Sequence, residues 1–171
     1  MGSPVPTREF GFSNTVNFFR HFSLYALVDY KTGGMIFNAN ERSRCQAAND
    51  NCARVNNPAA RFPTTAADTI LNREFAVYRQ TAQVPPEFVQ STDFVKLREV
   101  SLSTVIPPRF LRRTGASSAR FTLSGRNLGI WSDYEGADPE VNSYGGRNFV
   151  KIDAYAAPAT RRITGALSLQ F

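Results

Sequence analysis

The stretch from Asp93 to Trp131, DFVKLREVSLSTVIPPRFLRRTGASSARFTLSGRNLGIW, limits the possible folds more than any other. Its first half places Val100, Leu102 and Thr104 on one side of an extended chain and Glu99, Ser101 and Ser103 on the other. Its second half sets Phe121, Leu123 and Trp131 against Arg120, Thr122, Ser124 and Arg126. Side chains alternate between faces with period two only in a strand, so both halves read as strands. Pro107 and Pro108 each lack a backbone donor and end the first strand, leaving a basic turn, IPPRFLRRTGASS, between them. Each strand is long enough to cross a bilayer within a barrel wall. Val95 and Leu97 fall in the opposite phase to Val100 and Leu102, a flip that a β-bulge, or a strand rising above the bilayer, would explain.

The same period recurs elsewhere. Phe10, Phe12, Val16 and Phe18 oppose Gly11, Ser13, Thr15 and Asn17. Phe22, Leu24, Ala26, Val28 and Tyr30 then oppose Ser23, Tyr25, Asp29 and Lys31, after a tight turn at about Phe19 to Phe22. The final segment sets Ile163, Gly165, Leu167, Leu169 and Phe171 against Arg162, Thr164, Ala166, Ser168 and Gln170. An all-β antiparallel, up-and-down sheet of about five strands follows, over about 9–19, 22–32, 93–105, 119–131 and 161–171. Its connections alternate short and long, with long loops over about 33–92 and 132–160. So long a loop is foreign to a compact soluble domain but ordinary outside an outer-membrane barrel. Within the first loop, residues 66–79 could form one or two helical turns with Asp68 as N-cap.

Fourteen Phe and 6 Tyr against 1 Trp and 1 His suit strands. The net charge of +6 comes mainly from arginines scattered without a stripe, so no nucleic-acid partner is expected. No run of 18 apolar residues could form a transmembrane helix, and the N-terminus MGSPVPTREFGF lacks the pattern of a secretory signal. Cys45 and Cys52 share a polar segment without histidine; two thiolates cannot complete a zinc site, whereas a short disulfide needs nothing else, free thiols being the alternative. His21 reads as a solvated turn residue. The loop carboxylates Asp133, Glu135, Asp138 and Glu140 lack calcium-loop spacing, and Pro139 disrupts the turn such a loop needs. No metal or cofactor is expected, and no Ser/His/Asp set or pair of opposed carboxylates marks an enzyme. A soluble β-sandwich binding module is the alternative architecture.

The run DFVKLREVSLSTVIPPRFLRRTG, followed by ARFTLSGRNLGIWSDYEGADPEVNSYG, resembles the C-terminal end of SusC/RagA-type TonB-dependent outer-membrane transporters. The likeness rests on a KLREVSL-like strand, a proline-started turn, an SGRNL strand and a YxGxDPEV loop in that order. It implies a fragment of a 22-stranded transmembrane β-barrel plugged by an N-terminal domain, in the bacterial outer membrane. It also implies import of oligosaccharides or peptides driven by the TonB complex, with a SusD-like lipoprotein as partner. The signal, plug and most strands are missing here, so the partners would include the remainder of the barrel and plug as well as outer-membrane lipid. Tyr134, Tyr144 and Arg147 are the expected substrate-contacting residues of the loops. Such barrels end in an alternating apolar strand with a terminal aromatic that the barrel assembly machinery reads by strand addition; Gly165, Leu167, Leu169 and Phe171 match, although Ala166 occupies the usual glycine position.

Five strands in lipid leave two edges whose unpaired backbone groups each cost several kcal/mol. The isolated chain is therefore expected not to insert as a stable monomer. A heat-modifiable, protease-resistant monomer in bilayers would refute this.

Overall fold

The computed structural model describes residues 2–45, 61–63, 69–71, 86–112, 114–145 and 150–171. In chain order the elements are β1 (Arg8–Phe18), β2 (Phe22–Thr32), β3 (Met35–Asn38), α1 (Ala39–Arg44), β4 (Arg61–Pro63) and β5 (Thr69–Leu71). They continue with β6 (Val89–Ser91), β7 (Phe94–Ile106), β8 (Ser118–Ser132), β9 (Ile152–Asp153) and β10 (Arg162–Gln170). Short 3-10 turns lie at Pro86–Phe88 and Pro108–Phe110.

The chain divides into two units. One comprises Arg8–Lys31, Phe94–Ser132 and Ala159–Phe171; the other comprises Met1–Thr7, Thr32–Asp93 and Asp133–Pro158. The first unit is a five-stranded sheet in the order β1-β2-β7-β8-β10. Its long strands form antiparallel ladders, and the alternating residues meet as rungs. Leu24 lies opposite Leu102, which lies opposite Leu123. Phe22, Thr104, Phe121 and Leu167 form a second rung. One face is consequently a continuous apolar surface, and it is exposed: Phe12 retains 66% of its accessible area, and Phe10, Val16, Leu123, Trp131, Ile163 and Leu167 are exposed with it. Asn14 is a polar residue in this row of β1. A soluble sheet would cover such a face; a bilayer-facing wall leaves it bare.

The phase flip in β7 is a bulge. The register moves from Leu97 opposite Val28 to Glu99 opposite Leu27, so Arg98 is the extra residue of the ladder at this step. Opposite β8 the same step runs from Gly129 to Arg126. The extra residue returns Val95 and Leu97 to the apolar face shared by Val100 and Leu102. It also lets the consecutive residues Arg98 and Glu99 serve one polar face in opposite directions. Arg98 Nε donates to Asp29 Oδ2 of β2 at 2.7 Å, and Arg126 Nε of β8 donates to Glu99 Oε2 at 3.1 Å. With Lys31 3.4 Å from Glu9, ion pairs run across β1, β2, β7 and β8. Each partly exposed pair is worth about 0–1 kcal/mol, so their value lies in giving the charges of this face partners. In β8 the irregularity places Asn127 at φ 52°, in the left-handed region that asparagine tolerates better than most residues.

The turn between β1 and β2 is tight, with Phe19 at φ 48° and Arg20 at φ 61°. The turn between β7 and β8 opens at Pro107, runs through Pro108–Phe110 and is pinned by Leu111, which is buried.

The second unit corrects the expectation that residues 33–92 and 132–160 lack regular structure. Its main sheet has the order β6-β3-β9, with β6 antiparallel and β9 parallel to the central β3. Ile36 and Phe88 form its apolar core. β4 and β5 make a separate two-stranded pair. Within 66–79, where one or two helical turns were expected, Thr69–Leu71 is the strand β5, paired with Arg61–Pro63; the rest of that segment, Asp68 included, lies outside the described residues.

Because the two faces of β7 meet opposite environments, neighbouring substitutions should differ sharply. In the full-length protein, Leu102→Arg in the apolar row should cost about 2–4 kcal/mol if that row faces a bilayer near its midplane. Ser103→Arg in the polar row should be tolerated. Comparing the heat-modifiable folded fraction of the two variants tests the assignment of faces.

Candidate functional site

α1 and β9 meet in a buried polar network within the second unit. Asn38, at the end of β3, caps α1: its Oδ1 accepts the backbone N–H of Glu41 at 2.9 Å. A six-residue helix is too short to persist alone, and this cap satisfies one of its free donors. The cap aligns Asn40, whose Nδ2 donates to Asp153 Oδ1 at 2.8 Å. The other oxygen of Asp153 accepts the Tyr134 hydroxyl at 2.8 Å. Asp153, Asn38 and Asp138 are all buried. The Tyr134 hydroxyl is held well above the usual phenol range, first by burial, then by its bond to Asp153 and by the charges of Asp153 and Asp138.

The DPEV segment is tied into the same unit. The Glu140 backbone N–H donates to Asp138 Oδ1 at 2.9 Å, and Lys151 Nζ donates to the Pro139 carbonyl at 2.6 Å. Gln90 Nε2 donates to Glu135 Oε2 at 2.6 Å. At the end of β2, Gly33 has φ 80°, and a Cβ there would collide with Thr7 Oγ1, so only glycine fits. Its N–H donates to Asp93 Oδ1 at 2.7 Å while Thr32 Oγ1 donates to Asp93 Oδ2 at 2.8 Å. Burial pushes the Asp93 carboxyl up, but its bonds with Thr32, Gly33 and Ser91 outweigh that and hold it below the ordinary value. A depressed folded value means that this clamp stabilises the unit above the carboxylate range and is lost as pH falls through the lowered pKa.

Three residues were expected at loop tips. Tyr134 is not at one: it is only 7% exposed and its hydroxyl is engaged, so it is a core residue. The acidic, glycine-containing sequence around it suggested a mobile tip because the partner that buries it, Asp153, lies 19 positions away. Tyr144 is 61% exposed, in a turn where the Asn142 side chain accepts its N–H. Arg147 lies outside the described residues. Sequence reasoning passed over Tyr155, which is 80% exposed at φ 59°. Its hydroxyl hydrogen-bonds with the Ser43 hydroxyl at 3.0 Å, and its N–H donates to Asn40 Oδ1 at 2.7 Å. No local signal marks it, since its order comes from α1 more than a hundred residues earlier. Cys45 is disulfide-bonded and buried; Cys52 lies outside the described residues. Gly165, Leu167 and Leu169 lie on the apolar face of β10, an edge strand, and Phe171 follows it, exposed.

Among the described residues no group of three or more His, Cys, Asp or Glu could hold a metal ion. No helix among them is long and apolar enough to cross a membrane, which says nothing of crossing by strands. What the arrangement offers is a two-faced wall and a separately folded unit with exposed tyrosines.

Replacing Tyr134 by Phe should leave the buried Asp153 one donor short and cost about 1–3 kcal/mol. Faster hydrogen exchange in residues 133–158 of the full-length protein, with the strands of the five-stranded sheet unaffected, is the expected readout.

No protein-family model matches the chain. Among curated proteins it is 27% identical over its whole length to TonB-dependent receptor P3 of Formosa agariphila and 26% identical to TonB-dependent receptor P26 of the same organism. It spans only 17% and 18% of those relatives. Among solved structures, the RagAB peptide importer in its open-open state matches 99% of the chain with a TM-score of 0.69 at 19% identity, and the closed-closed state matches with 0.67. The chain covers 18% of each matched chain. The two-faced antiparallel wall and its bulged KLREVSL strand thus share the fold of part of the RagAB importer, and over its whole length the chain is similar to a segment of TonB-dependent receptors.

Proposed function

We propose that this segment is part of the wall of an outer-membrane importer and that transport belongs to the whole receptor, not to this piece. The exposed apolar row running across five ladder-paired strands supports the reading most directly, because only lipid contact makes such a face tolerable. Its polar row, with ion pairs from Glu9 to Arg126, would line the lumen. The short turns after β1 and β7 would lie on the periplasmic side and the segments 33–92 and 132–160 outside the cell, the usual asymmetry of such barrels.

In this reading the cargo is an oligosaccharide or a peptide, energy comes through the TonB complex acting on a plug, and a SusD-like lipoprotein delivers the substrate. The fold likeness to a peptide importer supports the peptide alternative by analogy. The segment does no catalysis and needs no cofactor. Tyr144 and Arg147 remain as substrate-contacting residues, while burial removes Tyr134 from that role. A disulfide between Cys45 and Cys52 would tie the outer unit in an oxidising compartment. Gly165, Leu167, Leu169 and Phe171 present the edge pattern for barrel assembly.

Single cysteines in the receptor carrying this segment, with its own two cysteines replaced by serine, test the topology. Tyr144→Cys should react with a membrane-impermeant maleimide on intact cells. Gly115→Cys should react only after the outer membrane is permeabilised, and Leu123→Cys should stay shielded in both. Labelling of Gly115→Cys on intact cells would reverse the assigned orientation.

A further inference from the structure

The charge of this chain is distributed very unevenly along the strands. Residues 17–23, 103–121 and 163–171 contain Arg20, Arg109, Arg112, Arg113 and Arg120, and not one of the chain's 14 carboxylate residues. All these segments gather at one end of the sheet, where β1 turns into β2 and β7 into β8. The two turns are neighbours, since β2 and β7 are paired and the Val105 N–H donates to the His21 carbonyl at 3.1 Å. Arg113 lies outside the described residues, and Arg120 belongs to the polar row. That leaves Arg20, Arg109 and Arg112, all exposed, on the turns themselves.

Aromatic rings accompany these cations. Phe18 stacks on Phe22 at 5.6 Å and meets Phe19 edge-on at 5.5 Å, and Phe121 ends the apolar row of β8. Phe19 and Phe110 are exposed on the two turns, and the Arg109 guanidinium lies 4.8 Å from the centre of the Phe110 ring. The first turn also holds two consecutive non-glycine residues, Phe19 and Arg20, at positive φ. Left-handed backbone crowds the Cβ of such residues, and an Asn-Gly pair would avoid most of that strain. Strain kept where a simple substitution would relieve it marks side chains that serve a purpose.

We propose that this end of the sheet binds anionic phospholipid. Phe19 and Phe110 enter the boundary between acyl chains and headgroups, and Arg20, Arg109 and Arg112 take the phosphodiester oxygens. Guanidinium groups suit this task because their donor fork matches phosphate oxygens. With no Asp or Glu in these three segments to pair with the guanidinium groups, a lipid carrying net negative charge is preferred over a zwitterionic one. The surface lies on the outer side of the wall and at its turns, where other parts of a closed barrel would not cover it. This inference rests on the reading above, in which the apolar row faces the bilayer.

The test uses the intact receptor in phosphatidylcholine vesicles with spin-labelled phosphatidylglycerol or spin-labelled phosphatidylcholine as the probe. The wild type should immobilise the anionic probe in preference, roughly threefold or more at low salt, with the preference shrinking as salt screens the charges. Replacing Arg20, Arg109 and Arg112 together by Gln should abolish the preference. Arg161→Gln with Arg162→Gln, at the other end of the sheet, should leave it unchanged. Equal immobilisation of both probes by an inserted wild-type receptor, or a preference that survives the triple replacement, overturns this inference alone. A receptor that alkaline washing strips from the vesicles overturns the membrane-wall reading, and this inference with it.

Discussion

Hydrocarbon offers no water to a backbone amide, and in the proposed membrane-wall reading this constraint governs the sheet. A strand in that environment must give every N–H and C=O a neighbouring strand, and its side chains must divide cleanly between lipid and lumen. The rungs from Leu24 through Leu102 to Leu123 satisfy both demands at once. The same ladder that pairs the backbone also aligns the apolar side chains into one surface. Two edges remain, β1 and β10, and they explain why five strands make sense only as part of a larger closed structure.

The bulge at Arg98 shows how strictly phase is enforced. A single extra residue shifts one half of β7 against the other, and without it Val95 and Leu97 would point into the polar side. The insertion is also used. Arg98 reaches Asp29 on one neighbour, and Glu99 receives Arg126 from the other, a pairing in opposite directions that regular alternation would forbid to adjacent residues. Correction of the hydrophobic register and completion of the ion-pair row are thus one event.

The second unit obeys different rules. Among its described residues buried polar atoms form a network, with Asp153 accepting from Asn40 and Tyr134. Buried carboxylates of this kind are tolerable only when donors are supplied, and here the donors come from segments far apart in the chain. The network fixes Tyr155 in a left-handed conformation with its ring exposed, an arrangement that nothing in the local sequence DAYAAP announces.

Legibility in the sequence follows from how local each cause is. Period-two alternation is a property of neighbouring residues, so the existence of the five-stranded sheet, the identity of its apolar face and even the break in β7 could be read directly. The proline-started turn was readable for the same reason, because Pro107 and Pro108 act on their own backbone. Tyr134 misled because its burial depends on Asp153, and the small sheet β6-β3-β9 went unseen because strands of two to four residues are too short to show a period. Tertiary structure alone decided that the bulge would join Arg98 and Glu99 to different strands and that the carboxylate-free, basic ends of separate segments would gather at one end of the sheet. Those outcomes depend on which residues become neighbours across a ladder, and no window along the chain contains that information.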